Sequence, residues 1–194
     1  QSIVFRIALN FVLAIKEMIR FLKNNIGSPA TKGFIPDGLN TNLAVRGYSY
    51  NIKKAKELVE QFRIDSGIQN PTLSLASDEN YVDLCTYLQN TYNQIGITIN
   101  IEVMPSAALR EAKSNGKLEL FRASWIADYP DSENYLLPYF SENFSPNGPN
   151  YTHFKSKRFD EGYKEIAATL DADRKNNLTN SCLLYTSDAA DEWL

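Results

Sequence analysis

Two alternating runs flank a helix-length segment in the middle of the chain, and between them they leave little choice of fold. Ile97-Thr98-Ile99-Asn100-Ile101-Glu102-Val103 alternates apolar and polar residues without a fault, the period of a strand. Thr72-Leu73-Ser74-Leu75-Ala76-Ser77 does the same over a shorter stretch. Between them Leu84, Cys85, Leu88, Tyr92 and Ile95 recur on one side of a helix predicted over about 79–95, which Gly96 ends. Strand, helix and strand within about thirty residues make a βαβ unit, which closes a parallel pair.

The flanking segments extend this into a small, largely parallel α/β sheet with helices on its faces. Pro105 to Asn115 reads as a helix broken by Gly116, and Leu118 to Trp125 as a third strand. Parallel neighbours align their carboxyl ends, so Ser77, Met104 and Trp125 are expected to open onto one edge, where ligands collect in α/β sheets. Upstream, Ile7, Ala8, Phe11, Ile15, Ile19 and Leu22 give one apolar helical face over residues 3–22, stopped near Gly27. A membrane span needs about 20 nearly uncharged residues, and Arg6 and Lys16 interrupt this one. Residues 28–50 hold Pro29, Gly33, Pro36, Gly38 and Gly47 and read as a loop whose Phe34, Ile35, Tyr48 and Tyr50 must pack on something. Asn51 caps a helix with the stripe Ala55, Leu58, Val59 and Phe62. Further helices are predicted over 133–139, around Phe159, Tyr163 and Ile166, and beyond a cap at Asp171.

Both ends carry expectations of their own. A start at Gln1 suggests a missing beginning, and the last helix looks unfinished, so the segment is expected to hold half a cleft and to bind weakly by itself. Cys182-Leu183-Leu184-Tyr185-Thr186-Ser187-Asp188-Ala189-Ala190-Asp191-Glu192 looks like the translation of a transposase adapter used in sequencing libraries. Residues 182–194 are therefore expected to be foreign to the native domain, residues 1–181. Without them the 23 acids lose Asp188, Asp191 and Glu192 and balance the 20 bases. A neutral chain without a basic run gives no electrostatic case for nucleic acid or an anionic membrane. One remaining thiol, Cys85, permits no internal disulfide and no cysteine-based metal site.

The residues offer few enzymes. His153 is the only histidine, and no HExxH, GxSxG, phosphate loop or dinucleotide fingerprint is present. Asp128, Asp131 and Glu133 could supply the acid and base of a glycoside hydrolase, or oxygen ligands to calcium, but acids at such spacing also serve as caps and turn formers. Cys85 sits on an apolar stripe, where a buried hydrophobe is the default. The triplets beginning at Asn143, Asn150 and Asn177 fit a glycosylation pattern that chance also produces. A different chemistry fits Leu120-Phe121-Arg122-Ala123-Ser124-Trp125-Ile126-Ala127-Asp128-Tyr129-Pro130-Asp131. A bound peptide needs an anion for its terminal ammonium and flat apolar walls for its side chains. Trp125 with Asp128 supplies both; a core tryptophan and a turn-forming aspartate would look the same in sequence.

Six stretches in register resemble one family. They are Arg6-Ile7-Ala8-Leu9-Asn10-Phe11; Ile26-Gly27-Ser28-Pro29-Ala30 with Gly33-Phe34-Ile35-Pro36; Tyr50-Asn51 with Lys54-Ala55-Lys56-Glu57-Leu58; Leu88-Gln89 with Ile95-Gly96-Ile97; Trp125-Ile126-Ala127-Asp128-Tyr129-Pro130-Asp131; and Asn150-Tyr151 with Phe159-Asp160. Over residues 3–180 the chain resembles the peptide-binding branch of the extracytoplasmic solute-binding proteins of ABC importers, which includes oligopeptide, dipeptide and nickel binders. It departs at Phe11-Val12-Leu13-Ala14-Ile15, where the family carries an Asp and a base, and at the long run into Gly67.

The resemblance implies a periplasmic-binding-protein type II lobe, the C-terminal one of two, closing around a peptide or similar solute for delivery to an ABC permease. It implies candidate ligand contacts at Trp125, Asp128 and Tyr129, with Asp128 pairing the peptide's α-ammonium, while Asp131 and Glu133 shape the turn and the next helix. Neither covalent chemistry nor a cofactor or metal is called for. A monomer outside the cytoplasmic membrane is expected, tethered at most by a lipid anchor beyond this segment. The alternatives are a hydrolase using Asp128, Asp131 and Glu133, and a nickel-chelate binder on the same fold.

Overall fold

The computed structural model describes residues 2–29, 33–36, 38–39 and 47–188; parts of the 28–50 loop and the tail beyond 188 lie outside them. The chain divides into two compact units, one drawn from Gln1–Pro29, Tyr48–Lys113 and Lys117–Arg122, the other from Ala30–Gly47, Ser114–Gly116 and Ala123–Leu194.

The first unit is the α/β part. Helices α1 (Ile3–Phe11), α2 (Ile15–Lys23) and α3 (Ile52–Ser66) precede β1 (Thr72–Ser77), α4 (Val82–Asn93), β2 (Thr98–Val103), α5 (Ser106–Ser114) and β3 (Leu120–Phe121). The three strands form a parallel sheet in the order β2-β1-β3, with Leu73 opposite Ile99 and Leu75 opposite Ile101 and Leu120. The apolar members of the two alternating runs build the core: Leu73, Leu75, Ile97 and Ile99 are buried with Val59 of α3, Cys85 and Tyr92 of α4, and Phe5 and Ala8 of α1. Asn51 caps α3 by accepting the Lys54 N–H at 2.9 Å, as its position predicted. Gly96 is favoured by its φ of +78°, and a Cβ there would also displace the Arg63 guanidinium, which lies 2.4 Å from where it would stand. That guanidinium instead donates to the Gly96 carbonyl at 3.0 Å, tying α3 to the turn before β2.

Two predicted elements come out differently. The helix expected over 3–22 is broken into α1 and α2, because the Phe11 carbonyl accepts the N–H of Asn51 at 2.7 Å and Val12 turns into the core. No α2 residue is buried, so the second half of the predicted stripe is not core. The strand expected over 118–125 pairs only at Leu120 and Phe121, with one more bond from the Arg122 N–H to the Ala76 carbonyl. Beyond it the chain has no strand partner, so the residue at the sheet's carboxyl edge beside Ser77 is Arg122, not Trp125. Its guanidinium lies 3.6 Å from the centre of the Tyr81 ring.

The second unit is helical: α6 (Ser132–Leu136), α7 (Lys157–Ala168) and α8 (Ala172–Asp188). Ile35, Leu136, Phe140, Phe159, Tyr163 and Ile166 form its core, and Phe34 stacks on Tyr139 at 4.5 Å. Gly162 lets α8 approach α7, since a Cβ there would meet Cys182 Sγ at 2.9 Å. α8 runs on through Cys182 and Leu183, which are buried in this core. Asp171 accepts the Arg174 N–H at the start of α8, the cap its position predicted.

The irregular stretch between α6 and α7 is organised by one side chain. Asn150, fully buried, donates to the carbonyls of Phe140 and Phe154 at 3.1 and 2.9 Å and accepts the Phe154 N–H at 3.1 Å. His153 stacks on Phe144, and its Nε2 lies 3.1 Å from Ser145 Oγ, a structural placement. Asp160 of α7 accepts the N–H and hydroxyl of Ser141. Burial of Asn150 also closes that glycosylation triplet to modification.

Asn150→Ala removes three hydrogen bonds made by a fully buried amide, though the Phe140 carbonyl keeps the Asn143 N–H and the Phe154 N–H keeps the Thr152 hydroxyl, and is expected to cost about 1–3 kcal/mol. Urea denaturation should show the midpoint falling with the slope preserved; a loss under about 0.5 kcal/mol would contradict the role given to this amide.

Candidate functional site

Residues 125–131 carry no regular structure, so what holds them must be side chains. Three anchors do so, all within the second unit. The indole N–H of Trp125 donates to Asn134 Oδ1 at 2.9 Å, and Asn134 is 1% exposed in α6. The hydroxyl of Tyr129 donates to Glu133 Oε2. Asp131 accepts the Glu133 N–H at 2.9 Å as the N-cap of α6, and its other oxygen pairs with Lys175 of α8. The hydroxyls of Ser132 and Thr179, 3.3 Å apart, make a further tie between α6 and α8.

Charge is accordingly satisfied at two of the three acids. Burial acts to raise the Asp131 carboxyl pKa, but the hydrogen bond and charge of Lys175, with the Glu133 N–H, outweigh it and hold the group below the ordinary value of 3.8. Glu133 accepts from Tyr129 and from Tyr163, and its carboxylate pushes the Tyr129 phenol pKa up, with burial adding to the rise. Burial first, and Glu133 second, do the same at Tyr163. Asp128 differs: it is exposed and, among the described residues, has no hydrogen-bond or ion-pair partner.

Asp128 and Tyr129 line one open concavity of about 430 Å³, whose other walls include Pro36, Leu39, Pro130 and Tyr135. Among the described lining residues Asp128 is the one carboxylate, and a carboxylate beside flat apolar surfaces suits a cation carried on an apolar body. Of the three residues expected to meet a ligand, two therefore share this wall, while Trp125 is partly buried and has its polar atom spent on Asn134. Sequence reasoning did not find Asn134, Tyr163 or Lys175 as supports, and only their placement by α6, α7 and α8 discloses them. The described residues hold no group of three His, Cys, Asp or Glu side chains placed to bind a metal, and no helix is long and apolar enough to cross a membrane.

Comparison with known proteins agrees with this architecture. The ABC transporter-associated periplasmic binding protein DppA of Helicobacter pylori, solved in complex with the peptide STSA, superposes with a TM-score of 0.85 at 23% identity, covering 97% of this chain and 37% of that one. The fold is that of a lobe of the type II periplasmic binding proteins. Residues 1–147 match the sequence model of the bacterial extracellular solute-binding proteins, family 5 (middle region), and the chain belongs to this family. The dipeptide-binding protein of Lactococcus lactis is 26% identical over 158 residues, 75% of this chain and 28% of its own length. Heme-binding protein A of Haemophilus influenzae is 25% identical over 166 residues, 82% of this chain and 30% of its own. The chain thus spans about three tenths of these relatives.

The Asp131 assignment carries a pH signature. A carboxyl whose pKa is lower in the folded than in the unfolded state contributes stability above the unfolded value, about 4, and loses it as pH falls through the folded one. Asp131→Asn keeps a competent cap but removes the charge. It should cost about 0.5–1 kcal/mol at pH 7 and less as pH falls below the ordinary carboxyl value, read from urea midpoints at pH 7 and pH 2; an equal loss at both pH values would contradict the ion pair.

Proposed function

We propose that this chain is part of the C-terminal lobe of a substrate-binding component of an ABC importer, which captures a peptide or similar small solute outside the cytoplasmic membrane and passes it to a permease. Residues 1–181 form that part in this reading. The observation that carries it is the carboxylate of Asp128, which has no hydrogen-bond or ion-pair partner among the described residues and stands on a wall of the concavity beside Tyr129, on a loop held by three side-chain anchors. Family membership supports the solute-binding role, and two relatives named for dipeptides favour a peptide ligand.

In this reading Asp128 accepts the ligand's α-ammonium in a charge-assisted bond, and Tyr129, from the wall of the concavity, and Trp125 supply flat apolar surface. Capture needs no bond to be made or broken. A second lobe, from the remainder of a full-length family member, closes over the ligand, and closure is favoured by contacts that exist only in the closed state. The protein acts as a monomer, tethered at most by a lipid anchor outside this segment.

A protein carrying this segment at full family length should melt at higher temperature with free-amine dipeptides and form no product. Asp128→Asn should weaken a free-amine dipeptide by at least about tenfold and leave its weaker N-acetyl analogue unaffected. Equal affinities of wild type and variant for the free amine would remove Asp128 from the site, and turnover abolished by the same substitution would replace binding by catalysis.

A further inference from the structure

Glu133 divides its carboxylate between two phenols that live in different surroundings. Oε1 accepts the hydroxyl of Tyr163, which is 7% exposed, and whose ring stacks on Phe140 at 4.6 Å inside the core. Oε2 accepts the hydroxyl of Tyr129, which is 46% exposed and forms a wall of the concavity. Glu133 itself is not among the residues that line that concavity. A continuous path of contact therefore runs from a buried core ring, through one carboxylate, to an exposed ring beside Asp128.

We infer that Glu133 is a positioning residue: it holds the Tyr129 ring in one orientation as a ready-made wall for the ligand, and touches no ligand itself. An aromatic wall left free to rotate has to be ordered when the ligand arrives, and that ordering comes out of the affinity. Tyr163 is what makes the hold stiff, because it fixes the carboxylate from the core side. The negative charge of Glu133 is spent on the two phenols rather than presented to a ligand. The inference rests on the concavity being the ligand site, and it adds a requirement that Asp128 alone does not impose.

The test uses Glu133→Gln, Glu133→Ala, Tyr163→Phe and Tyr129→Phe in the protein at full family length, with alanyl-alanine as the probe in calorimetry. Tyrosines labelled with carbon-13 at Cζ report the phenols, and the Tyr129 signal is assigned by its loss in Tyr129→Phe. Glu133→Ala and Tyr163→Phe should weaken the dipeptide by about three- to tenfold and shift or broaden the Tyr129 signal. Glu133→Gln should stay within about twofold of wild type, because an amide can still accept from one phenol and donate to the other. Affinity as poor in Glu133→Gln as in Glu133→Ala overturns the inference, since charge and not the hold would then be at work. So does a Tyr129 signal unchanged in Glu133→Ala, whatever the dipeptide does. A wild-type protein that binds no dipeptide overturns the peptide reading of the concavity, and the Tyr129 signal then judges the hold separately. Tyr163→Phe keeps its ring in the core and serves should Glu133→Ala fail to fold.

Discussion

The hydrogen bonds that bind the 125–131 loop to α6 are what the candidate site depends on. A seven-residue stretch without regular structure has no backbone ladder to define it, and its side chains supply the definition instead. Asn134 is the most consequential partner, because it is almost fully buried and meets Trp125 from inside the unit. Such a buried amide is worth little net as a bond but costs about 1–3 kcal/mol when its partner is lost. Asp131 acts in the same sense through its two oxygens, capping α6 with one and pairing Lys175 with the other. What these contacts leave over is Asp128, whose carboxylate is available to something outside the loop.

The same division between support and contact runs through the family's motifs. Asn150 is a buried hub for the turn before α7, Phe159 sits in the core, and Asp160 holds the Ser141 backbone. Leu88 packs against the first unit's core, Gln89 donates to the Ile99 carbonyl, and Gly96 makes room for Arg63. Residues of this kind serve the architecture of the chain. A residue that meets a ligand is under a different demand, and Asp128, unlike Asp131 in the same motif, has no partner among the described residues.

How much could be read from the sequence follows from how local each cause is. β1 agrees to the residue and β2 to within one, because period-two alternation is written in consecutive positions. The caps at Asn51 and Asp171 act within three residues and were legible for the same reason. The break after Phe11 was not, since its carbonyl partner Asn51 lies far along the chain. The short β3 escaped because strand composition cannot say whether a neighbour is there to pair with. Around the site, Tyr163 and Lys175 stand 30 and 44 residues from their partners Glu133 and Asp131, distances over which no pattern in sequence speaks. Asp128 was nameable from its motif, whereas its lack of a partner among the described residues could be seen only once the partners of Asp131 and Glu133 were known.

A crystal structure of the full-length protein with a free-amine dipeptide bears most directly on the role assigned to Asp128. The account places the ligand's α-ammonium nitrogen within about 3 Å of an Asp128 carboxylate oxygen, with the Tyr129 ring beside it. An ammonium held by other groups, with Asp128 still facing solvent, would contradict it.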